Sequence, residues 1–187
     1  GYVMDLEKLP RRVFLDTSSL NFVLEYGEYI FDGVVTPQTL SNRIVRDIDA
    51  FYNIFPTGKR ASWQLAISPF TYREIICTPT SKKRRYLENW FMQVWGYWLE
   101  ILQQDTDLPS FIDAERIRIK FMSEGILDIL PDIEDRILLC DAIVYRCDYF
   151  CTRDWKTILR YRDLLISLPI KIITPAEWWG LIRPYAR

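Results

Sequence analysis

Four short apolar runs punctuate the chain, and a helical pattern follows each of them. They are Arg12-Val-Phe-Leu before Asp16-Thr-Ser-Ser, Leu65-Ala-Ile before Ser68-Pro69, Tyr149-Phe-Cys-Thr152, and Ile170-Lys-Ile-Ile173 before Thr174-Pro175. Runs of this length bounded by such residues read as buried strands. Asp16 stands where a side-chain oxygen caps the free N–H groups of the next helix. Strands that alternate with helices are joined by right-handed crossovers, which place them in one parallel sheet. The pattern predicts an α/β fold, a three-layer α/β/α sandwich around a central parallel sheet.

The expected helices differ widely in length. One runs through Leu20, Val23, Leu24 and Tyr26. A second opens at Thr36-Pro37, keeps helical spacing through Leu40, Ile44, Ile48, Phe51 and Phe55, and stops at Thr57-Gly58-Lys59. A third carries Tyr72, Glu74, Ile75 and Ile76. The longest spans Ser81 to Gln104, with Trp90, Phe91, Val94, Trp95, Trp98 and Leu102 on one broad face. Further helices are expected over Phe111 to Glu124, closed by Gly125, then from Pro131 to Tyr145, from Trp155 to Leu165, and from Pro175 to Ile182. No repeat or low-complexity tract interrupts them, so residues 1–187 read as a single domain with helical elaborations at 36–63 and 81–125. Four strands offer little cover for so wide an aromatic face. The face of Trp90, Trp95 and Trp98 is therefore expected to be partly an interface.

Composition narrows the chemistry. Histidine is absent, which removes Ser-His and Cys-His catalysis and any histidine-based zinc site. The four cysteines, Cys77, Cys140, Cys147 and Cys151, lack zinc-knuckle spacing and are too few for a secreted disulfide scaffold. Cys140, Cys147 and Cys151 read as core thiols, and the set fits a reducing, cytoplasmic setting. The first ten residues lack the basic-then-apolar order of a secretory signal, and no apolar stretch approaches the roughly 20 residues of a membrane span. With 24 Lys plus Arg against 25 Asp plus Glu, any nucleic-acid binding must come from a local patch.

What remains for chemistry is the carboxylates. Ligands of parallel sheets collect beyond the carboxyl ends of the strands. There the chain places Asp16 after the first strand, Glu74 after the second, Asp135 in the helix feeding the third, and Asp154 after the third. Each alone reads as a helix cap or a dipole partner. Together they would repel unless a hard cation, Mg2+ or Mn2+, held them.

These residues resemble a known family, the PIN domains, which are metal-dependent ribonucleases that include the toxin halves of toxin-antitoxin pairs. Val13-Phe-Leu-Asp16-Thr17-Ser18-Ser19-Leu20 resembles the family's opening strand and first acid, and Ile67-Ser68-Pro69-Phe70-Thr71-Tyr72-Arg73-Glu74-Ile75 its second motif. Asp135 to Ala142 followed by Cys147 to Asp154 resembles the third and fourth motifs, and Ile172-Ile173-Thr174-Pro175-Ala176-Glu177-Trp178 the closing strand and helix. Residues 36–63 and 81–125 exceed what compact toxin members carry, so the resemblance bears on chemistry more than on a toxin role. It implies a Mg2+- or Mn2+-dependent hydrolase, an endoribonuclease, acting on single-stranded RNA. Asp16, Glu74, Asp135 and Asp154 would hold the ion, with Thr152 and Thr17 in support. Partners would be RNA, and an antitoxin or a second copy met through the aromatic helix. The rival reading is a non-catalytic PIN scaffold that binds RNA or a protein.

Two assignments within this reading come from the residues themselves. Asp135 and Asp141 are six positions apart on one helix, about 120° around it and about 9 Å along it, so they are not both ligands of one ion. Asp135, in the first turn, is the expected ligand, and Asp141 is left one step behind the ion or for a second one. Asp148 reads as a cap. From Cys151 to Arg187 seven basic residues face three acidic, and Arg153 and Lys156, flanking Asp154, are the expected phosphate contacts. Lys82-Lys83-Arg84-Arg85 forms a second basic run, equally consistent with a solvated helix face.

Overall fold

The computed structural model describes residues 9–61, 63–79 and 82–186. Strands β1 (Arg12–Leu15), β2 (Gln64–Ala66), β3 (Tyr149–Cys151) and β4 (Lys171–Ile173) form one sheet in the order β2-β1-β3-β4. All three pairings are parallel, with Phe14 beside Ala66 on one flank and Phe150 on the other. The fold is thus α/β on a four-stranded parallel sheet, as the alternation predicts. The two central strands are wholly apolar inside: Val13, Phe14, Leu15, Phe150 and Cys151 are fully buried. The Phe14 and Phe150 rings stack across the pair at 5.4 Å.

Helices α1 (Thr17–Glu25), α2 (Gly27–Phe31), α3 (Asn42–Ala61), α4 (Pro69–Cys77), α5 (Lys82–Gln104), α6 (Phe111–Ser123), α7 (Ile133–Val144) and α8 (Pro175–Ile182) connect and cover the sheet. Their starts follow cap chemistry. Asp16, Ser68, Ser110, Asp132 and Thr174 each accept a hydrogen bond from a first-turn backbone N–H. Thr174 does so in a reciprocal box with Glu177. Gly125 ends the α6 region at φ +78°, a conformation that costs a side-chain-bearing residue but not glycine.

Three local expectations are corrected. Pro37 does not open α3: its carbonyl accepts from Leu40 N–H in a turn, and Ser41 caps the helix through Ile44 N–H. Nor do Thr57-Gly58-Lys59 stop it, because α3 continues past Pro56 to Ala61. Gly58 instead makes room for the Trp63 indole, which fills the space a Cβ would take. The stretch expected as an α-helix from Trp155 is a turn followed by a 3-10 helix at Leu159–Leu165.

The tryptophans of α5 divide. Trp95 and Trp98 are buried within the chain, Trp98 edge-on to Tyr145 at 5.5 Å. Trp90 is half-buried against Phe31 and Phe55. The elaborations themselves supply part of the cover that the sheet lacks. Cys140, Cys147 and Cys151 lie in the core and Cys77 is exposed. Asp148 accepts from Arg11 N–H and Arg12 N–H at 2.8 Å each, tying the entry of β1 to that of β3, at the opposite end of β1 from Asp16. The side chains of Lys82, Lys83 and Arg84 lie outside the described residues. Among the described residues no helix is long and apolar enough to cross a membrane.

Candidate active site

The carboxyl ends of the central strands carry the acids. Asp16 follows β1 directly, and its N–H donates to Cys151 O at 3.2 Å, which holds the two strand exits together. Its side chain is 2% exposed. Oδ1 accepts from Ser19 N–H at 2.8 Å, and the Ser18 hydroxyl reaches both carboxylate oxygens at 2.8 and 2.9 Å. Burial pushes this carboxyl above its ordinary range, and hydrogen bonds from Thr152, Ser19 and Ser18 pull against it. Thr152, fully buried, also accepts from Asp154 N–H at 3.0 Å.

Asp135 sits in the first turn of α7, whose positive end faces the strand exits. Its carboxyl is pushed up to about 6, first by burial and then by the charges of Asp132, Asp154 and Asp16, against the Thr157 hydrogen bond. Three aspartates on three segments, Asp16, Asp135 and Asp154, therefore share one electrostatic neighbourhood. Thr157 joins two of them. Its hydroxyl donates to Asp135 Oδ2 at 2.6 Å and its N–H to Asp154 Oδ1 at 3.0 Å. The sequence shows Thr157 only as the third residue after a capping Asp, and nothing local reveals a hydroxyl contact 22 residues away.

Glu74 stands slightly apart. Burial and the charge of Glu134 raise its carboxyl, and the Thr17 hydroxyl opposes them. Thr17 in turn shares a 2.8 Å hydrogen bond with Thr71 on α4. Thr17 thus acts on Glu74, while Thr152 acts on Asp16.

Two expected contacts are redirected. Asp141, 1% exposed, accepts from the Ser68 hydroxyl on one oxygen and from Arg118 Nη1 on the other, each at 2.8 Å. Burial raises its carboxyl while Arg118 and Ser68 hold it down. It ties α4 and α6 to α7 and stands away from the aspartate group. Arg153, expected on phosphate, donates from Nε to Asp47 Oδ2 at 2.7 Å and lies 3.8 Å over the Phe22 ring. Its N–H donates to Ser18 at 3.3 Å, so the pair backs the same hydroxyl that grips Asp16. Asp47 is buried, and among the described residues its other oxygen has only Arg46 Nε at 4.0 Å. Lys156 is exposed, and beside it Trp155, which no sequence motif marks, is 54% exposed.

Among the described residues no group of three or more acidic or cysteine side chains is arranged to surround one metal ion. The donor chemistry nonetheless fits a hard divalent cation: the candidate donor atoms are all oxygen, and the charges of Asp132, Asp154 and Asp16 help push the Asp135 carboxyl up to about 6. The hydroxyls of Ser18 and Thr152 hydrogen-bond to the Asp16 carboxylate and that of Thr157 to Asp135. No protein-family model matches the chain, and neither the curated proteins nor the solved structures contain a significant match to it.

Proposed function

We propose that the chain is a PIN-like, metal-dependent nuclease that hydrolyses phosphodiester bonds of single-stranded RNA. The observation that carries this reading is the gathering of acids at the carboxyl end of a parallel sheet, where Thr157 joins Asp135 at 2.6 Å to Asp154 at 3.0 Å and the charges of Asp132, Asp154 and Asp16 bear on the buried Asp135 carboxyl. A divalent cation relieves that repulsion, and Asp16, Asp135 and Asp154 would hold it, with Glu74 at the edge of the site. When bound, Mg2+ or Mn2+ supplies a polarised phosphate and a water of lowered pKa.

The chain's own groups do the rest. Ser18 and Thr152 orient Asp16, and Thr157 fixes Asp135 relative to Asp154. Trp155 offers an exposed ring next to Asp154, and stacking of an unpaired base on such a ring contributes about 1–3 kcal/mol. Lys156 adds a positive charge for the backbone phosphate. The test is cleavage of a panel of structured and unstructured RNAs with Mg2+ or Mn2+. Activity should vanish on chelation and in Asp16→Asn and Glu74→Gln. Wild-type protein that binds these RNAs without cutting them, or cleavage that survives Asp16→Asn, overturns the proposal.

A further inference from the structure

Helix α3 carries a proline in its interior, and the consequence falls on the surface beside it. Pro56 has no N–H, so the Tyr52 carbonyl four residues back lacks its helical donor. Both residues line an open cleft of about 1070 Å3 bounded by α2, α3, α5, the edge strand β2 and Trp179 of α8. Phe31, Phe55 and Trp90 make one wall of it, with ring centroids 5.1 to 5.6 Å apart. Tyr52 and Tyr97, 49% and 65% exposed, mark its mouth. Among the described lining residues none is Asp, Glu, Lys or Arg, although such residues make up 26% of the chain. A space of this size walled by rings and amides suits a flat, uncharged molecule.

Two side-chain amides set the polar requirements of that molecule. The Arg12 guanidinium can only donate, so the Gln64 oxygen that accepts from its Nε at 2.8 Å is fixed in place, and among the described residues the Gln64 NH2 is left as a donor. Asn53 is turned the other way. Its Nδ2 donates to the Asp49 carbonyl at 2.7 Å, which can only accept, and among the described residues its Oδ1 is left as an acceptor. Both amides line the cleft. The α3 side thus offers acceptors, Asn53 Oδ1 and the Tyr52 carbonyl, and the β2 side offers a donor. A hydrocarbon ring would leave these polar groups unanswered, and an aliphatic polar molecule would leave the aromatic wall unused. We propose that this cleft binds an uncharged planar heterocycle carrying a ring N–H and a ring C=O, the lactam pattern of hypoxanthine and of flavins. None of Asp16, Glu74, Asp135 and Asp154 lines the cleft, so the proposal stands apart from the nuclease reading.

The experiment is isothermal titration calorimetry of the whole chain with inosine and with riboflavin, two uncharged lactams that contain no phosphodiester. At least one should bind with a Kd of about 1–100 µM. The N1-methylated form of inosine, which has lost the ring N–H, should bind about tenfold more weakly than inosine, because an acceptor on α3 is then left without its donor. Asn53→Leu should narrow that gap, since the ligand's N–H then has one acceptor fewer to lose. Tyr97→Ala should weaken binding by about fivefold or more at an unchanged melting temperature, because the ring is mostly in water in the free chain. No saturable binding of either lactam, methylated inosine that binds as well as inosine, an undiminished gap in Asn53→Leu, or full affinity in Tyr97→Ala would each overturn the proposal.

Discussion

Asp141→Ala separates a structural acid from a catalytic one. The wild-type carboxylate sits between a fully buried Ser68 hydroxyl and an Arg118 guanidinium with 26% side-chain exposure. Removing it strands the hydroxyl, at a cost of about 1–3 kcal/mol. Arg118 can rehydrate in part, so its loss is nearer 1 kcal/mol than the roughly 3–5 of a fully buried pair. The total, about 2–4 kcal/mol, lowers the melting temperature of a chain this size by roughly 5–15 °C. Asp135→Asn should act in the opposite direction. In the folded chain the Asp135 carboxyl titrates at about 6 against an ordinary 3.8. The fold therefore holds a proton that the unfolded chain releases, and stability falls as pH rises through about 4 to 6. Asparagine has no such loss, so the variant should be more stable than wild type at pH 7.5 and should lose that advantage below about pH 4. Differential scanning calorimetry at both pH values reads both effects. Mn2+ titration of Asp135→Asn beside Asp141→Asn adds the functional half: only the first should lose the ion. A neutral Asp141→Ala, or metal lost only in Asp141→Asn, would refute the division of roles.

Three further outcomes follow from the contacts around Asp16 and Asp135. Asp47→Ala frees Arg153 from its ion pair, loosens the backing of Ser18, and should lower Mn2+ affinity and cleavage by about tenfold, with Asp47→Asn intermediate because it keeps an acceptor. Trp155→Ala should raise KM for unstructured RNA by roughly 5- to 100-fold at an unchanged melting temperature, checked by steady-state kinetics. Thr157→Val removes a hydrogen bond that holds the Asp135 carboxyl down, so the acidic limb of the pH-rate profile should move to higher pH.

The alternation that predicts the parallel sheet is legible because each strand is a local apolar run and each helix start a local cap. Element ends were harder to read wherever a residue serves two purposes. Pro37 suits both a first helical position and a turn, and only the Ser41 cap five residues after Thr36 decides between them. Gly58 reads as a stop by composition, yet it is retained inside α3 as the seat of Trp63, a contact across a chain reversal. The apolar width of α5 is legible in the sequence, and the part of it that the chain itself covers is not. Period analysis finds a wide face but cannot say that the aromatic rings of α2 and α3 will meet it, as Phe31 and Phe55 meet Trp90.

The same limit governs the acids, and it explains which of them the sequence could rank. Helix phase alone puts Asp135 and Asp141 on different faces, so one helix could not aim both at one ion. Phase does not say what each face meets. Asp141 meets a cation and a hydroxyl, Arg118 and Ser68, and so is neutralised in place. Among the described residues Asp135 meets other acids and Thr157, with no cation paired to it. Arg153 makes the same point with the opposite sign: next to Asp154 it looks free to take phosphate, but a buried Asp47 from the 36–63 elaboration claims it. That elaboration, which at first looks like an addition to the sheet, is therefore coupled to the site through Arg153, Ser18 and Asp16. A truncation that removed α3 would unpair Arg153 and loosen Asp16 even though no acid of the site had been touched.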